Sequence, residues 1–165
     1  MLVTLFTYLF PAFQLLFPGY LVYNLWTARY SGIDRWLINI LITLGVSGFL
    51  FVIGRWDIAG YFLRYWLYSL YFVDALLSVV RIYDLPFRTP GGWSLRWSTA
   101  ADLLVLGGLM GWTFTGFAPE SASVDMAYPL RGDTYYVAHG GSMPLLNYHG
   151  MSAEAQSHAL DIAQL

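Results

Sequence analysis

The chain contains no cysteine and no lysine, and charged residues of either sign are few. Without cysteine the protein has no disulfide, no thiol nucleophile and no iron–sulfur cluster. Charged residues make up 11% of the 165 residues, whereas soluble domains average about 25%. The net charge of −2 and the absence of a basic patch exclude a general nucleic-acid partner.

The chain has long apolar stretches instead. Hydrophobic residues make up 58% of it, and four stretches match the length of roughly 20 mostly apolar residues that a bilayer span requires. They are Leu2 to Trp26, Trp36 to Ile53, Ile58 to Val80, and Thr99 to Phe117. The sequence therefore predicts a mainly α membrane protein. Its parts are a four-helix transmembrane bundle (1–117), a linker (118–127) and a short, incomplete β-strand-containing tail (128–165).

Two spans carry local signals of their own. Pro11 and Pro18 lie inside the first span, and proline removes a helical hydrogen bond, so we expect a kink or break that neighbouring helices accommodate. In the fourth span, Ser98 or Thr99 is predicted as the N-cap, which places Asp102 in the first turn beside the positive end of the helix dipole.

The arginines predict how the bundle is oriented. Arg29 and Arg35 lie between the first two spans, and Arg81, Arg88 and Arg96 lie between the last two. The opposite side has only Arg55, and short arginine-rich loops stay in the cytoplasm. We therefore expect a bacterial cytoplasmic-membrane protein, with the lipid bilayer as its partner and both termini extracytoplasmic.

Arg64 and Asp74 are charges within the third span, and a charge inside a membrane indicates a functional site by default. Each lies about six residues from an end of the span, roughly 9 Å along the helix. Arg64 is thus able to extend to the interface, and Asp74 to pair with Arg81. Structural anchoring is the favoured interpretation, and a relay or binding role, including transport, stays open.

The tail contains all three histidines. "DTYYVAHGG" (133–141) is rich in Tyr and Val and ends in Gly-Gly, which predicts a strand with His139 near its end. "SMPLLNYHG" (142–150) is a loop by its Pro and Gly, and "SHALDIAQL" (157–165) alternates polar and apolar residues like a second strand. Histidines and an acid near strands are compatible with a zinc site, although this spacing alone is a weak signal.

The string "YPLRGDTYYVAHGGSMPLLNYHG…AEAQSHALDI" resembles the opening of lysostaphin-type (LytM-type) zinc metallopeptidase domains. It is most similar to a branch in which a helical membrane part precedes the peptidase domain, and it covers about residues 127–165. The resemblance implies a β-rich, zinc-dependent endopeptidase that cuts peptide cross-links of bacterial cell walls, with peptidoglycan as its partner.

In this family a His and an Asp of an H-x-x-x-D motif and a His of a later H-x-H motif hold the zinc. Asp161 matches the metal-binding Asp, but Ser157 stands four residues before it and His158 three. Residues three apart in a strand point to opposite faces, so His158 and Asp161 cannot readily share a metal. His149, in the preceding loop, is freer to approach. The predicted metal ligands are therefore Asp161 with His149, and His158 ranks below them.

No H-x-H motif occurs in the sequence, whereas a catalytic zinc takes three protein ligands and a water. We therefore expect a truncated, inactive peptidase-like domain anchored in the membrane, with no catalytic residue assigned. The alternative is a non-catalytic integral membrane protein with an assembly or partner-binding role.

Overall fold

The structure is a computed structural model that describes residues 2–90, 97–118, 130–141, 143–147, 149 and 159–165. The described elements are α1 (Leu2–Thr27), α2 (Ile33–Ile53), α3 (Trp56–Ala59), α4 (Tyr61–Leu77) with a 3-10 turn (Ser78–Arg81), α5 (Trp97–Thr115), β1 (Tyr135–His139) and β2 (Asp161–Gln164). The chain divides into two compact units, Met1–Leu106 and Gly107–Leu165. This division falls inside α5, and the domain bounds drawn from the sequence stay a prediction.

Two of the described helices are long and apolar enough to cross a membrane, Ile33–Ile53 and Tyr61–Arg81. Length and composition are the whole basis of that assignment. The chain is mostly helical, as predicted, but the described residues support two such spans and not a bundle of four.

The third predicted span starts later than expected because a glycine breaks it. Gly60 has φ +105°, a left-handed conformation that residues with a Cβ rarely adopt. Ile58 therefore belongs to the separate short helix α3, and the apolar helix begins at Tyr61.

The predicted N-cap of the fourth helix is also wrong. Helix α5 begins at Trp97, so both Ser98 and Thr99 are helical residues and not caps. The first turn accordingly contains no acidic residue, and Asp102 lies beyond it. Helix termini are the least determined part of a sequence pattern, because the apolar periodicity does not mark where the first turn forms.

Helix α1 continues through both prolines, and α4 accommodates the second of them. Pro18 has no N–H to offer to the carbonyl of Gln14, four residues earlier, and its ring also crowds that turn. The hydroxyl of Tyr68 donates to the Gln14 carbonyl at 2.7 Å, and that of Tyr71 donates to the Leu15 carbonyl at 2.6 Å. Tyr68 thus supplies the donor that Pro18 lacks, and Tyr71, one turn further along α4, donates to the next carbonyl of α1.

The side chain of Gln14 makes a second link, to the connection between α2 and α3. Gln14 is fully buried. Its Oε1 accepts from the backbone N–H of Arg55 at 2.6 Å, and its Nε2 donates to the Arg55 carbonyl at 3.4 Å. The Arg55 guanidinium pairs with Asp57 at 2.6 Å. A single amide therefore satisfies both backbone groups of the residue that follows the Gly54 break.

The core of the first unit lies between α1, α2 and α4. Its buried side chains are Val22, Leu25, Trp36, Ile40, Ala75 and Ile82. One polar chain crosses this core: the Trp36 indole N–H donates to Ser78 Oγ at 2.9 Å, and Ser78 donates to the Ala75 carbonyl at 2.6 Å. The buried indole thereby fixes the position of α2 against the end of α4.

The C-terminal unit contains a two-stranded antiparallel sheet of β1 and β2, both at places where the sequence predicts strands. Tyr135 lies opposite Gln164, Val137 opposite Ile162, and His139 opposite Asp161. An irregularity between Val137 and His139 shifts the register by one residue. Such a bulge re-aims side chains at the end of a ladder, and here it brings the last residue of β1 level with the first residue of β2.

Candidate functional site

The structure brings together His149 and Asp161, the two residues that the sequence ranks first as metal ligands. His149 Nε2 lies 2.9 Å from Asp161 Oδ2. Asp161 is held by the sheet as the first residue of β2, and His149 reaches it from the loop between the strands. The two side chains keep 32% and 48% of their exposure, so solvent or a ligand has access to the pair.

Asn147 holds the loop that carries His149, and nothing in the sequence analysis singled it out. It is 1% exposed. Its Nδ2 donates to the carbonyls of Gly141 at 3.2 Å and Ala159 at 3.0 Å, and its Oδ1 accepts from the His149 N–H at 3.2 Å. One amide therefore connects the end of the first strand, the loop histidine and the approach to the second strand. The only signal in the sequence is an Asn between Pro and Gly in a loop, which is common.

His139 is the last residue of β1, as expected, and it is 6% exposed. It stands opposite Asp161 in the sheet register. His149, by contrast, remains partly exposed. His158, the third candidate ligand, lies outside the described residues.

The His149–Asp161 pair fits part of a zinc site. Imidazole nitrogen and carboxylate oxygen are both zinc ligands, and tetrahedral zinc with bonds of about 2.0–2.1 Å holds neighbouring ligand atoms about 3.3 Å apart. The observed 2.9 Å is close to that value. The residues that the structure describes contain no group of three or more His, Cys, Asp or Glu able to hold a metal ion. Within that part of the chain the set stops at two ligands.

The two charged residues of α4, Arg64 and Asp74, have different contacts. The Arg64 guanidinium carbon lies 4.6 Å from the ring centre of Tyr65, 5.1 Å from Tyr61 and 5.0 Å from Phe51. Its Nη2 also donates to the Tyr65 hydroxyl at 2.6 Å. Aromatic faces attract a cation where water is scarce, so these contacts favour the anchoring interpretation of Arg64.

Asp74 does not form the ion pair that the sequence suggested. In the described part of the chain no salt bridge joins it to Arg81, whose Nη2 instead donates to the Ala28 carbonyl at 3.4 Å. The anchoring of Asp74 by Arg81 is therefore wrong, because the 3-10 turn directs Arg81 towards the end of α1. Nothing in the described contacts links Asp74 to Arg64 as a relay.

These features define a mostly helical protein with two candidate membrane spans and a small antiparallel sheet that carries a His–Asp pair. No protein-family model, curated protein or solved structure matches the chain.

Proposed function

We propose that the protein is a membrane-anchored, extracytoplasmic, peptidase-like protein related in function to zinc-dependent peptidoglycan endopeptidases. The observation that carries the proposal is the 2.9 Å contact between His149 and Asp161. Twelve residues separate them in sequence, and the loop held by Asn147 closes that gap. A metal site of the lysostaphin type holds its zinc with a His and an Asp that lie close in space; in that family they stand four residues apart, whereas here the loop brings together residues twelve positions apart.

The exposed surface of the helices supports membrane anchoring. Large apolar side chains are more than half exposed on each of the four long helices: Leu16 and Tyr23 on α1, Leu41 on α2, Trp66 and Leu70 on α4, and Leu104 and Val105 on α5. Contiguous apolar surface of this extent needs a cover. Hydrocarbon chains around α1 and α5, as well as around α2 and α4, provide one, and this is the four-span arrangement that we propose.

The proposal predicts that Leu165 lies on the extracytoplasmic side of the membrane. With four spans and the arginine distribution of the sequence, alkaline phosphatase fused after Leu165 is expected to be active, because that enzyme folds only outside the cytoplasm. A green fluorescent protein fused at the same place is expected to be dark when exported in the unfolded state. The opposite pair of results would remove the cell wall from the reach of the tail and contradict the proposal.

The second test concerns zinc and hydrolysis. We expect the purified 165-residue chain to bind Zn²⁺, measured by calorimetry and by the absorption of a Co²⁺ substitute. His149→Ala and Asp161→Asn are each expected to lower the affinity more than the 10–100-fold that loss of an outer-shell partner typically costs. The same chain should give no clearing on a peptidoglycan zymogram, because its sequence lacks the H-x-H ligand.

Two further variants make this test decisive. His158→Ala shows whether the lower-ranked histidine is a ligand, and Asp84→Asn, a carboxylate on the first unit, is the matched control that should leave zinc affinity unchanged. Equal zinc affinity in the wild type, His149→Ala and Asp161→Asn would favour the non-catalytic alternative. Zinc-dependent clearing by the wild-type chain would contradict the expected lack of activity.

A further inference from the structure

A cavity of about 500 Å³ opens at the start of α2, away from the His–Asp pair. It is lined by Asp34, Leu37, Ile38, Leu41, Phe87 and Arg88. Its volume lies within the range of about 300–1,000 Å³ that is usual for small-molecule sites. The cavity is therefore large enough to hold part of a ligand. Its wall is mostly apolar and contains one acidic residue, Asp34, and one basic residue, Arg88.

The wall on the side of Phe87 and Arg88 is fixed to the first turn of α2 by backbone contacts. The Ile33 N–H donates to the Pro86 carbonyl at 3.0 Å, and the Asp34 N–H donates to the Phe87 carbonyl at 3.1 Å. These bonds satisfy two N–H groups that a helix start leaves without a helical partner. The cavity is consequently a feature built into the backbone and not a gap between side chains.

The two carboxylate oxygens of Asp34 have different surroundings: one is hydrogen-bonded to this wall and the other is not. Oδ1 accepts from the Thr89 N–H at 3.1 Å, the Thr89 hydroxyl at 2.7 Å and the Arg35 N–H at 2.9 Å. Oδ2 has no hydrogen-bond partner, although Asp34 is only 6% exposed. An unpaired buried carboxylate oxygen is costly, and a ligand that donates to it, once the side chain turns this oxygen towards the cavity, would remove that cost.

The cavity runs from this charge into the apolar part of α2. Residues 34, 37, 38 and 41 are spaced i, i+3, i+4 and i+7, which places them on one face of the helix. The three apolar members extend about 10 Å from the carboxylate at the helical rise of about 1.5 Å per residue. Since α2 is a candidate membrane span that begins at Ile33, the charged end lies at the membrane interface and the apolar face points into the hydrocarbon.

From this arrangement we infer that the cavity binds one zwitterionic glycerophospholipid with a primary ammonium headgroup, of the phosphatidylethanolamine type. The ammonium donates to the Asp34 carboxylate, the phosphate pairs with the Arg88 guanidinium, and an acyl chain covers Leu37, Ile38 and Leu41. Charge complementarity selects this occupant: the wall offers one anion and one cation, and the headgroup carries one of each. The inference requires a membrane and does not depend on peptidase ancestry.

The carboxylate also distinguishes this lipid from its neighbours in a bilayer. A quaternary choline headgroup has the same charge but no N–H, so it cannot donate to Oδ2. A glycerol headgroup offers hydroxyl donors without a cation, and its net negative charge leaves the Asp34 charge uncompensated. We therefore expect the cavity to retain the lipid with the ethanolamine headgroup most strongly, and the lipids with glycerol and choline headgroups more weakly.

The test is lipid retention by the full chain, measured by native mass spectrometry after release from nanodiscs that contain equal amounts of the three lipids with identical acyl chains. The wild type is expected to keep one ethanolamine lipid with a preference of about tenfold over the choline lipid, the ratio that one hydrogen bond to a charged group provides. Asp34→Asn keeps an Oδ1 acceptor for Thr89 and Arg35 and removes the charge, so it should lose this preference. Arg88→Gln should weaken retention of all three phospholipids.

The control variants distinguish lipid bound in the cavity from lipid bound elsewhere on the membrane-facing surface. Asp84→Asn and Arg29→Gln change exposed charges that do not line the cavity and should retain lipid like the wild type. Leu41→Trp fills the apolar face from an exposed position and should reduce retention, whereas Leu70→Trp on α4 should not. Equal retention of ethanolamine and choline lipids by the wild type, or an unchanged preference in Asp34→Asn together with full retention in Leu41→Trp, would overturn the inference.

Discussion

Replacing Asn147 by alanine is expected to destabilise the C-terminal unit and to weaken zinc binding at the His149–Asp161 pair. The substitution leaves the carbonyls of Gly141 and Ala159 and the N–H of His149 without their present partner. Gly141 is exposed and Ala159 and His149 are only partly buried, so each lost hydrogen bond costs about 0.5–1.5 kcal/mol. We expect the free energy of opening of the sheet, measured by hydrogen exchange at the Val137–Ile162 pair, to fall by about 2–4 kcal/mol.

Zinc affinity gives the second readout of the same variant. The Asn147 side chain positions a ligand without touching the metal, and such outer-shell partners are typically worth a factor of about 10–100 in affinity. Asn39→Ala is the matched control, because the Asn39 amide is exposed on α2 and donates only to the Arg35 carbonyl of its own helix. If Asn147→Ala kept both the sheet protection and the zinc affinity of the wild type, the proposed role of this amide would be wrong.

The double substitution of Tyr68 and Tyr71 by phenylalanine is expected to destabilise the first unit by about 2–4 kcal/mol, since each removes a donor to a carbonyl in the turn that Pro18 disrupts. The effect is smaller, near 1 kcal/mol in total, if the unfolded chain in detergent or lipid finds other partners for these carbonyls. Reversible unfolding in increasing fractions of a denaturing detergent measures the difference.

A double-mutant cycle with Pro18→Ala tests the physical reason. Alanine at position 18 restores an N–H that is able to bond to the Gln14 carbonyl, so Tyr68→Phe should cost less in that background than in the wild type. The exposed tyrosines Tyr20 and Tyr23 of α1 provide the controls, and their phenylalanine variants should be neutral. An equal cost of Tyr68→Phe in both backgrounds would show that the hydroxyl stabilises the protein independently of the N–H that Pro18 lacks.

The sequence predicts the helical segments well because apolar length is a local property. The four apolar stretches are mostly helical, and both predicted strands of the tail are present. The errors concern events at single residues: the break at Gly60 and the start of α5 at Trp97. A φ of +105° at one glycine changes the start of a helix, yet glycine is equally common where no break occurs.

The His149–Asp161 pair was predictable in part. Asp161 came from a family resemblance and His149 from the argument that a loop residue has more freedom than a strand residue three positions away. The residue that creates the geometry was not predictable. Asn147 donates to carbonyls 6 and 12 positions away, and an isolated Asn gives no sign of such partners.

By itself the sequence determined that the chain is mostly helical, with helices long and apolar enough to cross a membrane, because the length and composition of an apolar stretch are local properties. The tertiary structure alone decided which polar groups meet: two tyrosines with the turn before Pro18, an asparagine with the histidine loop, and Asp34 with Thr89. The reason is that hydrogen bonds depend on distances of about 3 Å between residues far apart in the chain, and those distances exist only after the helices and strands have packed.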